Sequence, residues 1–296
     1  MEDGRFDLSI IIVNYNGQIW LSKLLPGLRT NYLQKTKCNV EVIVVDNGST
    51  DDSVHLINSF DWIKLIESGQ NNGYAYGNNI ALKNNEARYV MLLNSDTEFF
   101  VTDSNLDQLI EYLDQNTTTG VITPHIELSD GRLDQACHRG EPTPWAAFTY
   151  FIGLEKLFPK IRIFAQYHLC YRNMNEIHEI DACSGAAMIV RNSALTEVGF
   201  LDERFFMYAE DIDWCHRFRS SGFKIIFYPK VKVIHHKYKS GIQNIDSEAK
   251  FKTQAYFYKT MLQYYDKYYR EKYPEFFRLF LKFMIGFKLK RISSLH

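Results

Sequence analysis

Four short apolar runs recur in the first 125 residues, and they limit the folds that this chain can adopt. The runs are Leu8 to Val13, Val40 to Val45, Ile63 to Ile66 and Tyr89 to Leu93. The segments between and after them, near 18–31, 52–60, 74–85 and 104–115, have the amphipathic pattern of helices. Strands that are apolar on both faces and joined by helices predict an α/β fold, with a parallel sheet covered by helices on both sides.

Each apolar run is followed directly by polar residues. In chain order these are Asn14 to Gly17, Asp46 to Asp51, Asn71 to Gly73 and Asn94 to Glu98. In sheets of this kind, ligands bind beyond the carboxyl ends of the strands. We therefore expect one crevice to collect all four polar clusters and to form the functional site.

Asp96 and Glu98 lie two residues apart after the fourth run. In an extended or tightly turned segment both carboxylates can face the same side. Hard oxygen ligands so placed suit Mg²⁺ or Mn²⁺ bound together with substrate phosphates. A solvated turn after a strand would use the same residues, and this segment alone favours neither interpretation.

An acidic segment, Glu210-Asp211-Ile212-Asp213, opens a predicted helix that ends near Ser221. Ionised carboxylates are favoured beside the free N–H groups of a first helical turn, and a general base must be ionised. Helix capping is the commoner use of acids at this position. However, the preceding apolar run, 205–208, would shield the segment from water, which favours a catalytic role.

His235 ends the apolar run 231–234, which follows another predicted strand over 223–228. By strand alternation its neighbour His236 points to the opposite face. Taken alone, a histidine here is more often a hydrogen-bonded structural residue than a metal ligand.

The second polar cluster has two interpretations. Asp46 could accept hydrogen bonds from a base or ribose, with Tyr15 packed against the base, but turn formation by Asn47-Gly48 explains the same residues without a ligand. The segment 72–79 matches neither the dinucleotide-binding nor the P-loop fingerprint, and the chain has no Gly-x-Ser-x-Gly elbow.

The composition excludes several classes of function. With 34 Lys and Arg against 35 Asp and Glu, the formal net charge is −1, so nucleic acid is not an expected partner. The five cysteines include no Cys-x-x-Cys pair, which fits reduced thiols in the cytoplasm. The first residues lack the pattern of a signal peptide, and nowhere do ~18 apolar residues run together, as a membrane span requires.

Aromatic and basic residues are interleaved near the C-terminus, and no acid follows Glu275. The apolar members are Phe276, Phe277, Leu279, Phe280, Leu281, Phe283, Met284, Ile285 and Phe287, and the basic members are Arg278, Lys282, Lys288, Lys290 and Arg291. One interpretation is a helix that packs on the rest of the chain or on a second copy in a homodimer. The other is a peripheral contact with the inner face of the cytoplasmic membrane.

Taken in order, six segments resemble the family 2 glycosyltransferases of the GT-A fold, most closely their bacterial rhamnosyltransferase-like branch. They are Ile11 to Asn16, Val44 to Asp51, Asn72-Gly73 with Gly77 to Asn79, Leu92 to Asp96, Ser184 to Met188, and Gly199 to Glu203 running into Glu210 to Asp213. The resemblance implies a mixed, mostly parallel central sheet flanked by helices, with a C-terminal helical extension. It divides the chain into a nucleotide-sugar-binding half (1–125), an acceptor-binding and catalytic half (126–240) and a C-terminal helical segment (241–296).

The resemblance also implies a role for each matching residue. The donor, a dTDP- or UDP-sugar, would be bound by Tyr15, Asn16, Asp46, Asn72, Gly73, Asn79 and Asp96. Asp96, Glu98 and His235 would hold Mn²⁺ or Mg²⁺, although Asn94 stands where many relatives carry Asp. Asp211 would be the catalytic base, and Glu210, Asp213 and Gly185 would bind the acceptor.

The activity expected from this resemblance is inverting transfer of a sugar to a hydroxyl of a glycan or lipid-linked saccharide in bacterial surface polysaccharide synthesis. Either L-rhamnose or a UDP-linked hexose fits as the donor sugar. Sugar nucleotidyl transfer is an alternative, but it would need a glycine-rich basic loop where Asn14 to Gly17 stands. An inactive glycan-binding subunit is another, but it would be expected to have lost Asp96 or Asp211, and both are present.

Overall fold

The computed structural model describes residues 5–100, 105–237 and 247–293, and a single mixed sheet lies at its centre. The strands are β1 (Leu8–Asn14), β2 (Val40–Asp46), β3 (Ile63–Glu67), β4 (Tyr89–Asn94), β5 (Thr97–Phe99), β6 (Thr119–Leu128), β7 (His178–Ile180), β8 (Ala187–Arg191) and β9 (Lys224–His235). The α-helices are α1 (Gln18–Leu28), α2 (Ser53–Asn58), α3 (Tyr74–Leu82), α4 (Asp107–Gln115), α5 (Pro144–Phe151), α6 (Leu154–Leu157), α7 (Leu195–Val198), α8 (Glu210–Ser220), α9 (Ser247–Tyr268) and α10 (Glu275–Ser293).

The first half of the sheet is parallel, as the four apolar runs predict. Its strands lie in the order β3, β2, β1, β4, and each begins at the residue where the apolar run begins. The register pairs Asn14 with Asp46 and Val13 with Asn94, so β1, β2 and β4 end at the same edge. The polar residues that follow these three strands are therefore neighbours.

The second half of the sheet is mixed. β8 is antiparallel to both β4 and β6, β9 is parallel to β6, and β5 and β7 are antiparallel to β9. The separate strands predicted over 223–228 and 231–235 are one strand, β9. Its pairing with β6 shifts after Tyr228, so a bulge accommodates Pro229, which has no N–H to donate to the ladder.

Helix α8 carries the acidic segment, and its sequence explains both its end and its packing. Gly222 has φ +83° and follows the last turn, where Phe223 N–H donates to Phe218 O at 3.0 Å in the pattern of a Schellman cap. Trp214, Cys215 and Phe218 are fully buried on the inner face. This packing fixes the axial position of the helix and hence of its N-terminus.

The Glu141 side chain joins the C-terminal helices to α8 through polar contacts. The Glu141 carboxylate accepts hydrogen bonds from Tyr264 Oη (2.5 Å), Tyr269 Oη (2.6 Å) and Arg219 Nη1 (2.7 Å). Burial acts against the charged form of Glu141, but hydrogen bonds, first from His216 and then from the tyrosines, outweigh it and lower the pKa to about 2. The proposed boundary between residues 240 and 241 lies outside the described residues. Among the described helices, none is long and apolar enough to cross a membrane.

Candidate active site

The loops after β1 and β2 are locked together by the buried Asp46. Its Oδ1 accepts hydrogen bonds from Asn14 Nδ2 (3.1 Å) and Ser49 Oγ (2.6 Å), and its Oδ2 accepts from Ser49 N–H (2.9 Å). Asn16 Oδ1 accepts from Thr50 N–H at 2.7 Å, which joins the same two loops. Tyr15 is 44% exposed beside them. Asp46 therefore shapes the turn, and direct contact of Asp46 or Tyr15 with a base stays a prediction.

The Asn72-Gly73 loop is joined to the segment that precedes the acidic helix. Gly73 has φ +95°, and a Cβ there would lie 2.4 Å from Phe206 O. Tyr74 N–H donates to the same carbonyl oxygen at 2.9 Å. Only glycine fits this close approach, which links the donor-side loop to residues 205–209. Asn72 is half-buried in this loop.

Asn79 has a different environment from the one predicted. Its Nδ2 donates to Leu201 O (2.9 Å) and Glu203 Oε1 (2.8 Å), and its Oδ1 accepts from Leu201 N–H (3.1 Å). The side chain is 2% exposed. Because the amide is buried and both its ends are used inside the protein, Asn79 anchors the 201–203 loop. Its role in donor binding stays a prediction.

Asp96 and His235 lie together at the edge of the sheet. The antiparallel pairing of β5 with β9 sets Thr97 opposite His235, so His235 Nε2 lies 3.3 Å from Asp96 Oδ1. Both side chains are buried, and the geometry of this contact leaves Asp96 Oδ1 without a hydrogen bond. A buried carboxylate oxygen in this state is a ready ligand for a cation.

Asp134 supports His235 from behind. Its Oδ2 is 2.9 Å from His235 Nδ1, and its Oδ1 accepts from Lys237 Nζ at 2.9 Å. Burial acts against the charged imidazole, but the contacts with Asp134 and Asp96 outweigh it and raise the pKa of His235 to about 9. A carboxylate that holds the remote nitrogen of an imidazole is the usual support of a metal-binding histidine.

Glu98 does not join this pair. Its Oε2 lies 2.9 Å from His236 Nε2, and its side chain is 48% exposed. Because His236 follows His235 at the end of β9, the two imidazoles face opposite sides of the strand. The structure therefore does not place Glu98 beside His235, and its role as a ligand of the same metal stays a prediction.

Asp96 and His235 nevertheless fit a divalent cation. Among the described residues, no three His, Cys, Asp or Glu side chains form a complete metal site. Mg²⁺ and Mn²⁺ in phosphate-transfer sites are commonly held by one or two protein ligands together with substrate phosphates and water. The buried Asp96 oxygen, which lacks a hydrogen bond, and the imidazole oriented by Asp134 provide such a partial set.

We expect Asp134→Asn to weaken metal binding ~10-fold to 100-fold, because loss of such a supporting carboxylate typically has this effect. The measurement is a Mn²⁺ titration of donor-dependent thermal stability. Asp130→Asn is the matched control, since Asp130 pairs with the exposed Arg132. If the half-saturating Mn²⁺ concentration is unchanged in Asp134→Asn, Asp134 does not support the metal site.

The acidic helix begins after two strained residues. Tyr208 (φ +69°) and Ala209 (φ +67°) both adopt the left-handed conformation, which side chains other than glycine rarely take. Such strain is usually retained where it positions a functional group. Here it turns the chain so that Glu210 and Asp211 open α8.

Asp211 is held by a buried arginine. Arg139 Nη2 lies 3.2 Å from Asp211 Oδ2, and their side chains are 10% and 13% exposed. Burial acts against the charged guanidinium, but the Asp211 charge outweighs it and raises the pKa of Arg139. An ion pair of this kind keeps the Asp211 carboxylate in one orientation.

Glu210 lies beside this ion pair, and its carboxyl group has a different electrostatic environment. Burial, followed by the neighbouring Asp211 charge, raises its pKa well above the usual range. Its Oε2 is buried without a hydrogen-bond partner. A buried, unpartnered carboxyl oxygen is suited to hydrogen bonding with a bound hydroxyl.

Asp213 faces away from the site. It is fully buried and pairs with Arg217 Nε at 2.9 Å, with Tyr268 Oη at 2.7 Å and with Lys267 Nζ. Residues i and i+2 of a helix do not share a face, so Asp213 points to α9 when Asp211 points to the cleft. These contacts anchor the C-terminal helix, and the role of Asp213 in acceptor binding stays a prediction.

Tyr74 connects the two acidic groups of the site. Its hydroxyl donates to Gly185 O at 2.8 Å, and a Cβ at Gly185 would lie 2.6 Å from that hydroxyl. Burial raises the pKa of Tyr74, and the negative charges of Glu210, Asp211 and Asp96 raise it further. Tyr74 therefore lies within electrostatic range of Asp96 and of the first turn of α8, and Gly185 makes room for its hydroxyl.

A family model described as glycosyl transferase family 2 matches residues 9–176, which is more than half of the chain. The chain belongs to this family. Within the match lie the donor-side loops, Asp96, Asp134 and Arg139, whereas Asp211 and His235 lie beyond it. The enzyme class predicted from the sequence, a glycosyltransferase, is confirmed.

Curated relatives of this family 2 glycosyltransferase are named as hexosyltransferases and rhamnosyltransferases. It is 29% identical over 238 residues to the low-salt glycan biosynthesis hexosyltransferase Agl10 of Haloferax volcanii, covering 78% of this chain and 67% of that protein. It is 26% identical over 242 residues to the N-acetylglucosaminyl-diphospho-decaprenol L-rhamnosyltransferase of Mycobacterium tuberculosis, covering 78% and 76%. It is 23% identical over 236 residues to the rhamnosyltransferase WbbL of Escherichia coli, covering 77% and 82%.

Solved structures confirm the GT-A fold. The mannosyltransferase PcManGT from Pyrobaculum calidifontis, in complex with GDP-Man and Mn²⁺, has a TM-score of 0.60 at 16% identity, and the match covers 98% of this chain and 74% of that one. Staphylococcus aureus TarS, in complex with UDP-GlcNAc, has a TM-score of 0.56 at 17% identity, with 86% and 66% covered. These likenesses establish the mixed sheet flanked by helices as the fold of this glycosyltransferase.

Proposed function

We propose that this chain is a metal-dependent, inverting glycosyltransferase. In this proposal it transfers a sugar from a nucleotide diphosphate donor to a hydroxyl of a glycan or lipid-linked saccharide. One observation carries it: buried Asp96 lies 3.3 Å from His235, and Asp211 at the start of α8 is held 3.2 Å from Arg139. Tyr74, whose hydroxyl donates to Gly185 O at 2.8 Å, lies within electrostatic range of both carboxylates. A cation-binding carboxylate and a candidate base around one cleft are what a single displacement at a sugar carbon requires.

Asp211 is the proposed base. Its carboxylate, oriented by Arg139, accepts the proton of the acceptor hydroxyl as that oxygen attacks the sugar. The hydroxyl approaches opposite the leaving diphosphate, so one displacement inverts the anomeric centre. Glu210, through its unpartnered Oε2, is proposed to hydrogen-bond the acceptor and hold it in line.

Asp96 and His235 are the proposed ligands of Mn²⁺ or Mg²⁺. When bound, the cation neutralises the charge that develops on the leaving diphosphate. The Asp46 turn with Tyr15 and Asn16, and the Asn72-Gly73 loop, are proposed to hold the nucleotide. Their fixed hydrogen bonds with each other form a rigid wall of the cleft before any donor arrives.

The proposed sugar is L-rhamnose, supplied as dTDP-L-rhamnose, and the proposed setting is bacterial surface polysaccharide synthesis on the cytoplasmic side of the membrane. Two relatives named as rhamnosyltransferases support this choice, one of which is named for a diphospho-decaprenol acceptor. Agl10, named as a hexosyltransferase, supports the broader hexosyl class and leaves a UDP-linked hexose as the alternative.

A thermal-shift panel of nucleotide sugars with Mn²⁺ tests the donor assignment. We expect dTDP-L-rhamnose to stabilise the protein, since a ligand at ~100 times its dissociation constant adds ~2.7 kcal/mol to the free energy of unfolding. UDP-glucose, UDP-GlcNAc and GDP-mannose are the comparison donors. The shift with dTDP alone shows how much the nucleotide contributes to the stabilisation. A larger shift with a UDP-sugar would replace the rhamnose assignment and keep the enzyme class.

A further inference from the structure

Helix α10 presents an apolar stripe to solvent. The stripe consists of Phe276, Leu279, Phe280, Phe283 and Phe287, whose spacing places them on one helical face. The opposite side holds the helix in place, because Phe277 and Leu281 pack against the core and Arg278 forms two ion-pair contacts with Asp266, at 2.6 and 2.9 Å. The helix is thus docked with its most aromatic face turned outward.

A second segment extends this apolar face. Residues 145–163 expose Ile152, Leu157, Phe158, Ile161 and Ile163, with Leu157 70% exposed and Phe283 of α10 68% exposed. The segments touch through Phe148 and Phe280, whose ring centroids are 5.9 Å apart. We call the exposed side chains of 145–163 and α10 together the apolar-basic surface. An apolar surface of this extent indicates a binding site, because monomeric proteins rarely expose one.

Apart from Glu275 at the start of α10, which pairs with Arg278, the exposed charges of the apolar-basic surface are basic. Lys156, Lys160 and Arg162 are exposed on the first segment, and Lys282 and Lys290 are exposed on α10. The sequence has no acid after Glu275, and the single acid between positions 142 and 175 is Glu155. That residue is buried and its carboxylate is bound by His168, with the His168 N–H at 2.9 Å.

The exposed apolar rings and the basic charges together decide whether a second copy of the chain or an anionic bilayer covers this surface. A second copy of the chain meeting the same surface across a two-fold axis would bring like charges together, which opposes association. An anionic bilayer matches both features, because apolar rings enter the interface while lysine and arginine stems reach the phosphate groups.

We propose that the apolar-basic surface docks this glycosyltransferase on an anionic lipid bilayer. The two segments lie in the interface as one face, and neither spans the membrane. The docking needs neither donor nor acceptor, so it stands or fails independently of the proposed reaction.

Co-sedimentation of the full chain with vesicles tests the proposal. We expect binding to vesicles that contain phosphatidylglycerol, and little binding to vesicles of phosphatidylcholine alone. Phe283→Glu with Phe287→Glu should lower binding ~10-fold or more, because two large apolar side chains leave the interface. Lys160→Gln with Arg162→Gln should lower binding and reduce its sensitivity to salt.

Ile19→Glu is the matched control, because Ile19 is a 41% exposed apolar residue of another helix and should leave vesicle binding unchanged. Thermal melts of all variants separate loss of binding from loss of fold. Equal vesicle binding by wild type and the Phe283/Phe287 double variant overturns the proposal. So does conversion of a dimer to a monomer by that variant with vesicle binding intact, since the surface would then join two copies.

Discussion

Asp211→Asn is expected to lower kcat by ~10²-fold to 10⁴-fold, the usual contribution of a positioned general base. Asparagine keeps the size of the side chain but cannot accept the proton from the acceptor hydroxyl. Single-turnover and steady-state rates measure the loss, and the donor-induced thermal shift shows whether donor binding is kept. Turnover near the wild-type value would remove Asp211 from the mechanism.

Asp213→Asn is the informative control for this variant. It is two residues further along α8, and its fully buried carboxylate pairs with Arg217 and Lys267. Its substitution leaves those cations without their partner, so the free energy of unfolding should fall. Turnover per folded molecule should stay close to the wild-type value. Opposite effects of the two substitutions would distinguish a base from an anchor on the same helix.

The Asn72-Gly73 loop, which is proposed to bind the donor, is joined to the segment that leads into α8, which carries the proposed base. Tyr74 N–H and the close approach of Gly73 both use the Phe206 carbonyl, three residues before the left-handed Ala209. Movement of the Asn72-Gly73 loop would therefore move the start of α8. This connection offers a physical reason why strained residues are retained at positions 208 and 209.

The parallel half of the fold was predictable from sequence because it rests on local patterns. Strands β1, β2 and β4 are largely apolar and buried, the edge strand β3 is partly buried, and polar residues end each of the four. The helix at Glu210 was predictable for the same reason, with Gly222 as its stop signal. Such signals depend only on neighbouring residues, so they can be recognised in the sequence without knowledge of the tertiary structure.

The residues that support the site were not predictable, because long-range pairing places them. Asp134 and Arg139 lie in the weakly patterned stretch after residue 125, and nothing local indicates that one meets His235 and the other Asp211. The bulge at Pro229 merges two predicted strands into β9 and determines where His235 falls. Tyr74 had a usable signal, since it directly follows Gly73 in a polar loop.

The structure places three predicted site residues away from the partners that the sequence suggested, for geometric reasons. Glu98 was paired with Asp96 by spacing, but β5 begins between them and directs Glu98 towards His236. Asp213 was grouped with Asp211, although two residues along a helix correspond to opposite faces. Asn79 was grouped with the loop at its helix start, but one further turn carries it into the protein.

Removal of the metal should have the other large effect, a loss of transfer by roughly 10³-fold, because a bound cation contributes several kcal/mol to stabilising the leaving diphosphate. Excess chelator tests this directly, and added Mn²⁺ should restore the rate. Asp96→Ala and His235→Ala should each abolish the Mn²⁺-dependent part of the donor thermal shift. Glu98→Ala should keep it, since Glu98 faces His236. Full activity in excess chelator would contradict the metal assignment. A loss of the Mn²⁺-dependent thermal shift in Glu98→Ala equal to that in Asp96→Ala would show that Glu98 is a metal ligand.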